Sequence, residues 1–434
     1  MLLEVTLAEL RENFPGCAIT VATNDFHWLA GDVQTRFVGS FTRWVKSTVN
    51  GASRWHWRQL PLMLWWVIQS WLVALTCRLF KRPWLMPGDR ARYDLLAAYC
   101  QADLIVSCPG NFFFSSSGLG VPFLLSVYAL AYGWLLGKPL YMMPQTIGPL
   151  TRRRERWPLR WVLQRLRFVT LRDTPSLATV TALGIPASRC HIMPDSAFLY
   201  GGSGDLGPFI DLITNGSRGL VIVSPTDSIT TGCYPRPYVG VTVIDWAALN
   251  RRFERQNIYE VAVADALAVF LKRHGGTVFI FPQVIGPSQA EDDRLPAARV
   301  AEILGASRSQ VVQVKSAWLP GQLQAAYGQM DLFLGTRLHS NMFALTAGTP
   351  TLAISYQYKT HGVFSMLGLS DWVIDIENVD GLQLSELLES LWQQRASVRD
   401  QLSGRLPVLK QAARNAAAWI AADFHRVAVD MFAH

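Results

Sequence analysis

Short apolar runs alternate with helical stretches along nearly the whole chain, in two series separated by a glycine-rich segment. Runs of this kind read as buried strands. Helices between them supply the crossover connections that parallel strands need, so the pattern calls for parallel sheets covered by helices. In the first series the expected strands are residues 18–23, 35–39, 103–107, 139–144, 168–172 and 191–193, with a helix over 178–183 stopped by Gly184. In the second they are 220–224, 277–283, 311–314, 331–335, 350–355 and 372–375, and a helix over 259–273 ends at His274-Gly275-Gly276. The segment 201–219, rich in glycine and holding Pro208, reads as the loop at the domain boundary. The expectation is an α/β protein with an N-terminal Rossmann-like lobe over residues 1–205 and a C-terminal one over 215–382. A helical tail over 383–434 is expected to pack back across both.

A chain of 434 residues suits two such domains, and with half its residues hydrophobic and 17% charged it can bury two cores. The net charge of +8 favours anionic partners without choosing among phosphate-bearing substrates, acidic glycans, lipid headgroups and nucleic acid. The most basic stretch, Thr151-Arg152-Arg153-Arg154-Glu155-Arg156 with Arg160, Arg165 and Arg167 beyond it, reads as a solvated helix face or as an attraction to anionic lipid. It carries no recognised nucleic-acid module, so no nucleic-acid partner is expected.

The six cysteines form no CxxC pair and no zinc spacing with histidine, so reduced thiols in a cytoplasmic protein are the simplest account; no metal and no resident cofactor are expected. The N-terminus, with Glu4, Glu9 and Arg11 at helical spacing, is not a signal peptide. Sixteen Trp residues are present, many of them between Trp28 and Trp84, which suits a membrane interface, sugar rings or an aromatic core. Residues 60–77 form an uncharged run just long enough for a membrane span. A single span would put strands 18–23 and 103–107 of one sheet on opposite sides of the bilayer, so a buried or interfacial helix is expected instead. The second uncharged stretch, 111–137, reads as a core helix.

In open parallel sheets ligands sit beyond the C-terminal strand ends, so chemistry is sought there. Gly335-Thr336-Arg337-Leu338-His339-Ser340 follows a strand and opens a helix. A helix N-terminus offers free N–H groups and a positive dipole end, Arg337 can grip an anion with two hydrogen bonds, and the imidazole of His339 is a side chain that can transfer a proton. An ordinary helix start with a surface arginine and a core histidine accounts for the same residues. Tyr356-Gln357-Tyr358-Lys359-Thr360-His361 follows the next strand, placing Lys359 and His361 at an adjacent strand end. Gln283 follows another strand, ahead of Glu291-Asp292-Asp293-Arg294, whose acids suit sugar hydroxyls or helix capping.

In the first lobe, Cys108-Pro109-Gly110-Asn111 and Pro144-Gln145-Thr146-Ile147-Gly148 read as tight turns at strand ends. Arg172 and Asp173 read as a local pair. Asp195 is the candidate carboxylate for an acceptor hydroxyl, with an N-cap role as its rival.

Taken in order, DLIVSCPGNF, PQTIGP, VTLRDTPSLATVTALGI, MPDSAF, the Asp292-Asp293 segment, and GTRLHSNMFALTAGTPTLAISYQYKTHGVFSMLGL resemble the polysaccharide pyruvyl transferase family over about residues 1–380. The resemblance implies a two-lobed GT-B-like fold, phosphoenolpyruvate as donor substrate and a sugar of a cell-surface glycan or its lipid-linked precursor as acceptor. It implies that Arg337 and His339, with the backbone at Leu338, hold the donor or act on it, and that the enzyme works at the cytoplasmic face of the membrane as a peripheral protein. His339 and Asp195 are thus the expected catalytic pair. Gly335, Arg337, Leu338, Lys359, Gln283, Asp292, Asn111 and Gln145 are the expected substrate contacts. Two departures stand out. Members of the family begin with a strand and a Gly-Asp turn, whereas this chain opens in the following helix. They also end the strand that opens the second lobe with an arginine, where strand 220–224 leads to Thr226. The rival readings are a GT-B glycosyltransferase using a nucleotide sugar, and a non-catalytic member of a polysaccharide assembly complex.

Overall fold

The computed structural model describes residues 1–24, 34–48, 60–115, 120–201, 204–215, 220–221, 234–250, 252–286, 288–305 and 311–432. The chain forms two compact units, one of Leu2–Ser196 with the stretch from Ala412 onward, the other of Ala197–Gln411 with Met1. The final helix, Gly381–Phe432, therefore gives its first part to one unit and its last part to the other.

In the unit from Ala197, a seven-stranded sheet runs in the order Val373–Asp375, Thr351–Ser355, Leu332–Gly335, Tyr238–Thr242, Thr277–Ile280, Val311–Val314, Leu220–Val221. All neighbours are parallel except the last pair. Its central strands are buried residue by residue, as expected of a parallel sheet with helices on both faces.

The middle strand, Tyr238–Thr242, is absent from the sequence reading, which opened this lobe with 220–224. Gly240 argues against a strand interior, yet here it is required. A Cβ at that position would lie 2.7 Å from Phe333 Cδ2 and 2.8 Å from Met330 Cγ. Leu220–Val221 instead forms an antiparallel edge, and Thr226 lies outside the described residues. The parallel strand that opens this sheet runs on into Val243 and Ile244, which are buried, and then Asp245, so the end of that strand carries no arginine. Within the segment read as a loop lies a helix, Gly207–Asn215. Pro208 fits its first turn, and Phe209 and Leu212 enter the core.

The other unit holds short parallel ladders. Ile19–Thr23 pairs with Thr35–Gly39, and Ile105–Ser107 with Leu140–Met142. Gly110–Phe113, Gln145–Ile147, Val169–Leu171 and Cys190–Ile192 follow one another as neighbours. The segments read as turns after 103–107 and 139–144 thus return to strand. Ile19–Thr23 and Ile105–Ser107 stand in separate ladders rather than in one. Helix Val121–Leu135 buries Phe123, Val127 and Leu130 in the core, as its uncharged sequence predicts. The terminal helix is tied to this unit at Asp423, which accepts from the Tyr141 hydroxyl at 2.9 Å and from Arg167 at 2.8 and 3.2 Å.

Candidate functional site

Strand Leu332–Gly335 lies beside the middle strand, and the chain then turns through Thr336 and Arg337 into helix Leu338–Thr346. The turn is held from several sides. Thr336 N–H donates to Thr242 O at 3.0 Å, and its hydroxyl lies 2.7 Å from that of Tyr259. Asn341 Nδ2 donates to Gly335 O at 3.1 Å, and the Ser340 hydroxyl donates to Arg337 O at 2.7 Å. A Cβ on Gly335 would lie only 1.8 Å from Asn341 Oδ1. Gly335→Ala is therefore expected to push this helix start aside and cost about 1–3 kcal/mol, read as a lower midpoint in thermal unfolding.

Arg337 turns its Nε and Nη2 onto Asp293. The bonds are 3.2 Å from Nε to each carboxylate oxygen and 2.6 Å from Nη2 to Oδ1. Asp293 is 1% exposed and also accepts the backbone N–H groups of Gln283 at 3.2 Å and Val284 at 2.9 Å. Burial pushes the Asp293 carboxyl above its ordinary value, against the pull of Arg337 and the two backbone donors. Burial works against the guanidinium of Arg337, but Asp293 and the Tyr356 hydroxyl outweigh it and hold the group above its usual range. Tyr356, pushed up by burial, follows the next strand and packs its ring 4.7 Å from Trp246. The result is a cation fixed in place at the leading end of a helix, where free N–H groups favour an anion.

Leu338 is buried and offers its backbone; His339 is half-buried one residue further along the helix. Lys359 opens helix Lys359–Leu367, after the neighbouring strand. His361 does not join it, because its Nε2 is bonded to Asp375 at 2.7 Å. Gln283 is brought to Asp293 through its backbone, while its side-chain oxygen accepts from the Tyr327 hydroxyl at 3.0 Å. Asp292 is not aimed at Arg337. Its carboxylate is closed by Arg294, with bonds of 2.6 to 3.1 Å from the guanidinium and 3.0 Å from the backbone N–H. Asp293, Tyr356 and Trp246 are the members of this group that the sequence did not single out. The Asp-Asp pair and the tyrosine after the strand were visible signals, but only folding decides which acid turns inward.

In the other unit, Gln145 is fully buried and its Nε2 donates to Ser107 Oγ at 2.6 Å and Cys108 O at 2.7 Å. Its Oε1 and the Oδ1 of Asn111 are buried with no hydrogen-bond partner among the described residues. Asp195 is bonded to Arg172, and both are buried. Asp173 does not pair with Arg172. It caps helix Thr174–Ala182 through Ser176 N–H at 2.7 Å and accepts from the Thr146 hydroxyl at 3.0 Å. A concavity of about 760 Å³ between helices Gln256–His274 and Gly381–Phe432 holds none of these residues.

Two Rossmann-like α/β units with parallel strands and helical connections define a protein of GT-B type. The UDP-GlcNAc 2-epimerase of Neisseria meningitidis, in a structure with UDP-GlcNAc, matches over 98% of both chains with a TM-score of 0.53 at 7% identity. The α,α-trehalose 6-phosphate synthase of Burkholderia multivorans matches over 84% of this chain and 83% of its own, with a TM-score of 0.48 at 11% identity. In sequence, the family described as polysaccharide pyruvyl transferase matches residues 1–358. The amylovoran biosynthesis protein AmsJ of Erwinia amylovora is 26% identical over 280 residues, 64% of this chain and 63% of its own length. The chain belongs to the polysaccharide pyruvyl transferase family.

Proposed function

We propose that this chain transfers an enolpyruvyl unit from phosphoenolpyruvate to a sugar of an exopolysaccharide, or of its lipid-linked precursor, and closes it into a pyruvate ketal. The observation that supports this most is Arg337, its side chain 13% exposed and clamped by the buried Asp293 at the start of helix Leu338–Thr346, in a member of a pyruvyl transferase family. With Nε and Nη2 engaged by Asp293, the guanidinium is pre-oriented and its remaining edge can meet a phosphate or carboxylate oxygen. Backbone N–H groups at Leu338 and His339 complete an anion cradle, and Lys359 adds a charge from the next strand end. His339 gives a proton to the methylene carbon of the enol. One sugar hydroxyl adds to the neighbouring carbon. A second hydroxyl then displaces phosphate from that carbon, so the two hydroxyl protons are balanced by the new methyl hydrogen and by the released phosphate. The buried acceptor atoms of Asn111 and Gln145 suit hydroxyl donors of the sugar. The reading places the enzyme in the cytoplasm, peripheral at the inner face of the cell membrane.

The test is phosphate release from phosphoenolpyruvate in the presence of a glycan acceptor. His339→Ala is expected to slow it by about a hundred- to ten-thousand-fold, the usual contribution of a positioned acid. An undiminished rate removes His339 from the chemistry, and release that depends on a nucleotide sugar instead overturns the donor.

A further inference from the structure

Helix Leu60–Phe80 meets its own unit along one narrow stripe. Trp66, Ser70, Val73 and Ala74 are buried, and Ser70 Oγ lies 2.6 Å from the Tyr128 hydroxyl. The core beneath is built by Tyr132, Leu136, Leu95 and Phe41. On the opposite side, Leu64, Ile68, Trp71, Leu75 and Leu79 recur at helical spacing, each more than half exposed. At the helix end, Phe80 stacks at 4.9 Å on Trp84, four residues further on, with both rings exposed. Only 17% of the apolar window Pro61–Phe80 is buried. The helix is long and apolar enough to cross a membrane, but the seated stripe denies it an all-lipid surround. What remains is an apolar rod about 30 Å long, lying on the unit with one side bare.

At the C-terminal end of this rod is a cavity of about 300 Å³ whose rim includes Arg78, Trp134, Lys138, Arg165 and Arg167. Arg78 belongs to the last turn of the helix, so cavity and bare face adjoin. Arg167 is neutralised by Asp423. Arg78, Lys138 and Arg165 have no acidic partner among the described residues. Arg165 is held in place by stacking 3.5 Å over Trp161 and 4.7 Å over Trp134, and by a 2.8 Å bond to Trp161 O, while its buried Nε has no acceptor. Three uncompensated cations around one concavity call for a multiply charged anion, and a phosphate fits that charge.

We propose that the bare face of helix Leu60–Phe80 and this cationic cavity form one docking surface for an anionic phospholipid bilayer, with a headgroup phosphate seated among Arg78, Lys138 and Arg165. The apolar face, the three tryptophans at 65, 71 and 84, and the added cations Lys81 and Arg82 match an interface with acyl chains on one side and phosphates beside them. Two copies packed face to face would cover the apolar rows but leave these cations without counter-charges. The inference deepens the peripheral location proposed above and is independent of the donor chemistry.

The test is flotation of the full chain with vesicles of phosphatidylcholine alone or doped with phosphatidylglycerol, alongside phosphate release on a soluble acceptor. Binding should require the anionic lipid. Lys138→Gln and Arg165→Gln should each weaken it about fivefold, the effect of one cation near an anionic surface. Trp71→Ser should weaken it further, and soluble-acceptor turnover should be unchanged in all three. Thermal unfolding of Lys138→Gln guards against a folding artefact. Equal binding to both vesicles, binding insensitive to Lys138→Gln, or no binding overturns the proposal. So does saturation of the cavity by inorganic phosphate without vesicle binding, or a dimer in sedimentation that Trp71→Ser disperses. None of these outcomes bears on the transferase reading, which the soluble assay reports separately.

Discussion

Arg337→Ala is expected to abolish phosphate release and, in the same protein, to destabilise the unit from Ala197 by about 3–5 kcal/mol. The two losses have one origin. Asp293 is 1% exposed, and its carboxylate lies against the guanidinium of Arg337 with a shortest bond of 2.6 Å. Taking away the cation leaves a buried carboxylate with only two backbone donors, and breaking such a pair from one side typically carries this cost. The pH dependence gives the mechanism away. Burial already makes Asp293 bind its proton more readily folded than unfolded, so its contribution to stability falls as pH rises from the ordinary carboxylate range. Without Arg337 the folded value moves further up. The deficit of the variant should then be largest near neutral pH and shrink toward about pH 4. Arg337→Lys keeps the charge but not the two-pronged geometry, and should fall between wild type and alanine in both readouts. An alanine variant as stable as wild type would mean that the pair does not form. Retained turnover in a destabilised variant would remove Arg337 from the donor site.

Both the strengths and the gaps of the sequence reading have physical causes. Most strands of the second lobe were legible because parallel strands buried on both faces leave uninterrupted apolar runs, as at Leu332–Gly335 and Thr351–Ser355. The strand-to-helix turn at Gly335 was legible because residue types and chain order coincide there. Tyr238–Thr242 was not, since Gly240 and Thr242 dilute its apolar signal. Gly240 is there because Phe333, from a strand far along the chain, needs the space of a side chain. Without that strand, the family's arginine position falls at Thr226 instead of after Thr242. The acids show the same limit. Asp292 and Asp293 are adjacent and chemically alike, but one closes on Arg294 and the other crosses to Arg337, 44 residues away. Arg172 likewise passes over its neighbour Asp173 for Asp195. Local pattern fixes which elements form; which charged side chains meet is decided by packing between elements distant in sequence.

Asp195→Ala is expected to cost its unit about 3–5 kcal/mol, which separates the two roles open to this carboxylate. Asp195 and Arg172 are 2% and 7% exposed, and Arg172 also donates to the Thr146 hydroxyl, which in turn donates to Asp173 at the cap of helix Thr174–Ala182. The alanine variant strands a guanidinium in that network. For a unit of this size the loss should lower the unfolding midpoint by on the order of 10 °C. A joint replacement, Arg172→Met with Asp195→Leu, removes both charges and fills similar volume, so it should recover most of that stability. A base acting on the acceptor would behave differently. Asp195→Asn would then cut phosphate release by about a hundred- to ten-thousand-fold while unfolding barely moved, and the double replacement would stay inactive however stable. The buried ion pair argues for the first pattern, in which stability and turnover fall together and return together. A stable but inactive Asp195→Asn would restore the carboxylate to the catalytic apparatus.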